Sequence, residues 1–199
     1  MTFRLIIFAI LAISWGPFAL ASSCEDEVSQ LRILSKSLGP GLDDPAYIEN
    51  LTSYRPKERS LAFDIERSVH TEKNTIEYSM MLTASYQAGA NDGGPSRLEF
   101  IDIASKMEGF ELRHSDPTRV LFVNRQSHIF VNWLNIDGKV TIGAISLSLV
   151  PSLVPVLEAQ VPAAVQAFAR IWPDAIPPQQ IIEQSIAGAR SANINVPVQ

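Results

Sequence analysis

The chain is expected to fold as an α+β domain, with an antiparallel sheet of about five strands, a hairpin plus a three-stranded meander, packed against N- and C-terminal helices. Two long runs of period-two alternation predict the hairpin, and apolar runs broken at Asp137-Gly138 predict the meander. Apolar side chains at helical spacing on either side of these runs predict the cover.

Taken in order, Ser23 and Asp26 give a Ser-x-x-Asp cap, and Val28, Leu31, Leu34 and Leu38 follow at helical spacing until Gly39-Pro40-Gly41 ends the segment. Asp44 caps a second, short helix, where Pro45 suits the first turn and Tyr47, Ile48 and Leu51 supply the apolar side before Pro56. The two make a helical N-terminal arm over 22–56, ahead of an α+β domain over 57–199. From Leu61 the period changes: Leu61, Phe63, Ile65 and Arg67 alternate with Ala62, Asp64, Glu66 and Ser68, which reads as a strand with one face inward. Ile76, Tyr78, Met80, Leu82 and Ala84 repeat the alternation beyond a polar turn at Thr71 to Asn74. Ala90 to Pro95 is a loop in which Gly93-Gly94 suits a turn better than a nucleotide site. Ser96 and Glu99 then cap a helix carrying Ile101, Ala104 and Met107 up to Gly109.

The meander follows Asp116-Pro117 as Val120 to Asn124, then Ile129, Val131 and Trp133 alternating with His128, Phe130 and Asn132, then Val140 to Val150. Val140 to Leu157 holds no charged side chain, so a membrane span is weighed there. Pro151 and Pro155 favour a buried strand leading into a helix instead. Leu153, Leu157, Val161, Val165, Phe168 and Trp172 share one helical face opposite Glu158, Gln166 and Arg170, with Pro162 kinking or splitting the helix. Pro177-Pro178 opens a last helix bearing Ile182, Ile186 and Ala189, and Ile194, Val196 and Val198 form a tail suited to an edge strand.

The first residues carry a processing signal. Arg4 is the only charge before Glu25, Leu5 to Ile13 is an unbroken apolar run, and Trp15-Gly16-Pro17 breaks it. Ala19-Leu20-Ala21 puts small side chains where a signal peptidase needs them, so residues 1–21 are expected to be a secretory signal peptide and the protein periplasmic or secreted. Cys24, the only cysteine, follows Ala21-Ser22-Ser23 in a box resembling that of bacterial lipoproteins, although Leu20 stands one place too early. It is the candidate lipidation site, with a free thiol as the alternative.

Removing Arg4 with the leader leaves 15 of the 16 basic residues against 21 acidic ones, a formal charge of −6. With no Lys/Arg cluster to offset it, this balance repels phosphate backbones and excludes nucleic acid as an expected partner. One cysteine cannot form an internal disulfide, so packing must carry the stability.

Few residues carry chemistry. His70, His114 and His128 have no short pairwise spacing, so no metal and no cofactor is expected. His128 and Asn132 fall on one face of the expected strand and are the candidate binding residues of a polar groove, against the plainer reading of a solvated sheet face. His114 and His128 are the candidate catalytic residues if a neighbouring carboxylate assists them. Asp64 and Glu66 share a strand face, where two carboxylates are ordinarily hydrated charges. Gly-x-Ser-x-Gly, His-Glu-x-x-His and phosphate-cradling glycine patterns are absent from the sequence. The expected role is therefore an exported cell-envelope protein, a non-enzymatic module binding a protein or small-molecule partner. The alternatives are a small hydrolase with a His/carboxylate site and a lipid-anchored accessory subunit held through Cys24.

Overall fold

A computed structural model describes residues 47–57, 60–70, 75–89 and 93–194. One antiparallel sheet of seven strands organises them: β1 (Tyr47–Tyr54), β2 (Leu61–His70), β3 (Thr75–Gln87), β4 (Glu111–Ser115), β5 (Arg119–Asn124), β6 (Ile129–Ile136) and β7 (Lys139–Ser148). Their spatial order is β1-β2-β3-β7-β6-β5-β4. Helix α1 (Arg97–Ser105) interrupts the strands, while α2 (Val161–Ile171) and α3 (Gln179–Ile194) follow them.

The expected hairpin is β2–β3, in register from Leu61 opposite Ala84 to His70 opposite Thr75. The expected meander is β5–β6–β7, closed at Asp137-Gly138, where both residues take left-handed φ values of 50° and 84°. That geometry matches the strand twist in a two-residue turn and suits an Asp-Gly pair. Strand β7 returns to pair with β3 and joins the two units into one sheet.

The α+β class is present, but the sheet has seven strands rather than about five. Residues 47–54 form strand β1, not the short second helix expected there, so the helical arm over 22–56 is overturned in this part. Ile48 and Leu51 imitate helical spacing, yet only Leu51 is buried and Ile48 is largely exposed. A register shift between Asn50 and Thr52, the mark of a bulge, accommodates Leu51 as it joins the core. Pairing with β2, from Tyr47 opposite Val69 to Tyr54 opposite Phe63, overrides a local pattern too short to hold a helix. The other added strand is β4, which has little apolar alternation to announce it. Both edge strands carry a register shift, and β4 also carries Glu111, Arg113 and His114, features that blunt pairing with another sheet. The signal peptide, Cys24, the first expected helix and the tail beyond Ile194 lie outside the described residues.

Helix α1 has the expected capping box, Glu99 Oε2 accepting from Ser96 N–H at 2.8 Å and Ser96 Oγ from Glu99 N–H at 3.4 Å. It stops at Ser105, and Phe100 with Ala104 buries its inner side. Pro162 falls in the first turn of α2, where its missing N–H costs little, and a π-helical turn over Val156–Gln160 leads into it. The expected split thus becomes a change of helical winding.

One face of the sheet, filled by Phe63, Ile65, Met80, Leu82, Val131 and Ile142, packs with Phe100 of α1 and with Val161, Ala164 and Phe168 of α2 in the main core. Each large side chain so buried contributes about 1.5–3 kcal/mol relative to exposure. Helix α3 packs against β1, burying Ile182 and Ala189. The opposite face was expected to be solvated, yet Asp64, Glu66, Ser68, Ser79, Thr83, Asn132 and Thr141 on it are buried. Among the described residues, its apolar members Ala62, Met81, Leu134 and Ile145 form a separate cluster made of strand residues only. Among the described residues no helix is long and apolar enough to cross a membrane.

Candidate functional site

An open groove of about 780 Å³ lies between the start of α1 and the end of α2. Its walls follow from two helix ends. At one, the chain enters α1 through Gly93, Gly94 and Pro95. Gly93 adopts a φ of 77°, open to glycine without strain, and a Cβ on Gly94 would collide with the Tyr86 ring. At the other, α2 stops at Ile171; Trp172 leaves helical geometry, its N–H still donating to Phe168 O at 2.8 Å, and Pro173 begins a 3₁₀ turn over Pro173–Ala175.

Tyr86 near the end of β3 ties the two walls together. Its hydroxyl donates to Pro95 O and accepts from Trp133 Nε1 at 3.4 Å, while its ring meets the Trp172 ring edge to face with centroids 5.1 Å apart. Burial pushes the phenol above its ordinary pKa, an effect the Trp133 hydrogen bond opposes, so it remains a hydroxyl donor at neutral pH.

The apolar part of the groove consists of Leu98, Ile103, Ile171 and Trp172. Leu98, on the first turn of α1, is 73% exposed. Carboxylates of Glu99, Asp102 and Asp174 belong to the same lining. The Ser96 hydroxyl and amide hold Glu99 below the usual carboxylate range, and Asp102 accepts from Lys106 Nζ at 2.7 Å. Glu99 is therefore an anion at neutral pH, unsuited to donating a proton.

The residues singled out in the sequence do not converge there. His114 lies on β4 with Nε2 2.5 Å from Asp116 Oδ2, both side chains more than a third exposed. Asp116 also accepts from Thr118 N–H, Thr118 Oγ1 and Arg119 N–H, each at 2.8 Å, and its carboxyl is held well below the usual range, first by His114 and then by Thr118. The neighbouring Ser115 Oγ accepts from Arg97 Nη2 at 2.6 Å. His128 is not on β6: it occupies the preceding turn with a left-handed φ of 56° and is exposed. Asn132 is 2% exposed on β6, with neither its amide nitrogen nor its oxygen paired. His128 and Asn132 thus do not share a face of β6, and Asn132 is buried rather than solvated.

Asp64 and Glu66 are buried rather than hydrated. Asp64 Oδ2 accepts from Arg55 Nη2 at 3.0 Å, and Asn50 Nδ2 reaches its other oxygen at 3.5 Å. Among the described residues no group of three or more His, Cys, Asp or Glu could hold a metal ion. A smaller cavity of about 240 Å³ lies between Met107, Asn124, Ser127, Gln166 and Arg170.

Sequence reasoning missed the groove because its two walls stand some seventy residues apart in the chain. A local signal that could have pointed to it is Leu98, an apolar residue outside the inward side of α1 formed by Phe100 and Ala104. No protein-family model, curated protein or solved structure matches the chain.

Proposed function

We propose that the chain is an exported, non-enzymatic binding module of the bacterial cell envelope, whose binding surface is the groove between α1 and α2. The observation that carries this reading is the lining itself: Leu98 stands in water beside Ile103 and Trp172, and among the described residues the lining holds no His, Ser, Cys or Lys. A large apolar side chain exposed at the rim of a formed concavity is suited to anchoring a partner. Export rests on the leader over 1–21, and membrane attachment through Cys24 would make the module an accessory subunit.

Photo-crosslinking in the native host tests this reading. A benzophenone side chain at position 98 is expected to give a discrete adduct in the envelope fraction, whereas one at Ile136, exposed and not part of the groove lining, gives none. Equal labelling from both positions, or a cytosolic protein still starting at Met1, would overturn it.

A second reading draws on the His114–Asp116 pair, which is the arrangement a small hydrolase uses to orient a general base. Ser115 is engaged by Arg97 and offers it no ready nucleophile. Hydrolysis of ester or peptide substrates that disappears in His114→Ala, with folding intact, would favour that reading.

A further inference from the structure

We infer that the groove between α1 and α2 seats a polypeptide segment carrying Lys or Arg beside bulky apolar side chains, an assignment that rests on the groove being the binding surface. Both halves of that chemistry are present in the lining. Leu98 and Ile103 offer apolar contact above the buried Ile171 and Trp172, while Glu99, Asp102 and Asp174 supply three carboxylates against no basic residue among the described residues of the lining. Lys106 beside the groove offsets one of them through its pair with Asp102. Arg97, next to Leu98 in the chain, is engaged by Ser115 and the Asp116 carbonyl.

The two helix ends carry the same sign. The groove meets α2 at its C-terminal end, where unsatisfied carbonyls place a partial negative charge. It also meets α1 at its N-terminal end, which would ordinarily attract an anion. There the reciprocal bonds of Ser96 and Glu99 occupy two of the amides at that end, and Glu99 adds a negative charge of its own. An acidic ligand would thus meet repulsion at both ends, and a purely apolar one would leave the carboxylates facing it unpaired. A volume of about 780 Å³ open to solvent suits a chain segment better than a small amine, whose sites bury most of the ligand.

The test uses the mature chain and three fluorescein-labelled peptides of equal length, alternating Lys with Leu, Lys with Ser, and Glu with Leu, read by anisotropy. The Lys-Leu peptide is expected to bind about tenfold more tightly than either other peptide. Added salt should weaken it, because the carboxylates are exposed. Leu98→Ser is expected to lower its affinity about tenfold. Asp174→Asn and Asp102→Asn should each lower it about two- to fivefold. All three side chains are at the surface, so unchanged melting curves establish that these losses are not unfolding.

The chain is acidic overall, and the Lys-Ser peptide measures any attraction that its net charge alone provides. Equal binding of Lys-Leu and Lys-Ser, equal binding of Lys-Leu and Glu-Leu, no binding of Lys-Leu, or binding untouched by Leu98→Ser and Asp174→Asn each overturns the inference. A crosslink from position 98 together with no Lys-Leu binding would leave the groove as a binding surface and remove only the basic-apolar class. Lys-Leu binding without that crosslink would remove the envelope role and leave the groove chemistry standing.

Discussion

The two faces of the sheet are buried to a similar degree by very different side chains. On the helix-covered face Phe63, Ile65, Met80 and Leu82 meet α1 and α2, and burial of apolar area repays their ordering. On the other face Asp64, Glu66, Ser79, Thr83 and Asn132 are equally dry around a small patch of Ala62, Met81, Leu134 and Ile145. Burial of a polar group costs free energy unless a hydrogen bond replaces the one lost to water. Asp64 has that replacement in Arg55, whereas Ser79 Oγ, Thr83 Oγ1 and both amide atoms of Asn132 have no hydrogen-bond partner. Period-two alternation therefore sorts side chains by polarity, while access to water is decided separately, by what comes to lie over each face.

Single substitutions on the two faces should differ in size and in sign. Phe63→Ala on the helix-covered face removes a fully buried ring and is expected to cost about 3–5 kcal/mol. Urea unfolding followed by circular dichroism would measure it, and a loss below about 1 kcal/mol would mean that the ring is not part of a close-packed core. Asn132→Leu on the opposite face keeps the branched shape of the side chain and removes two unpaired polar atoms. It should be neutral or stabilise by up to about 2 kcal/mol. A clear destabilisation would show that the Asn132 amide is paired, and the contrast between the faces would narrow to one of composition.

The elements with strong periodicity were legible in the sequence: β2, β3, β5, β6, β7, the capping box of α1, and α3. Strands β1 and β4 were not. Tyr47, Ile48 and Leu51 sit at a spacing shared by a short helix and a bulged strand, and only pairing with β2 decides between them. The Glu111–Ser115 segment alternates too little to stand out and is held by its ladder to β5. Asp64 and Asn132 were misjudged as wet because their polarity matched a solvated face, and no pattern within one strand reports what covers it. Of the candidate site, the Gly93-Gly94 turn and the Ser96–Glu99 cap were visible as local signals. The groove itself was not, because Trp172 and Asp174 reach Leu98 only through the tertiary fold.

The smallest effect is expected at the sheet edge, where water reaches a carboxylate that the dry face would exclude. Asp116 is held below its usual 3.8 by hydrogen bonds from His114, Thr118 and Arg119. A carboxyl with a lowered folded-state pKa contributes stability that is complete above its unfolded value and is lost as pH falls through the folded one. From pH 7 down to about 4 this group should therefore leave stability level, and below that it should erode it. In Asp116→Asn the acid loss should become shallower, and in His114→Ala the Asp116 carboxyl should titrate nearer its ordinary range, as carboxyl NMR shifts would report. The two variants separate a structural His114–Asp116 pair from a catalytic one, because only the structural role predicts a change confined to acid pH. An identical acid limb in wild type and Asp116→Asn would mean that the pair does not hold the β4–β5 turn, and the edge would then differ from the dry face in exposure alone.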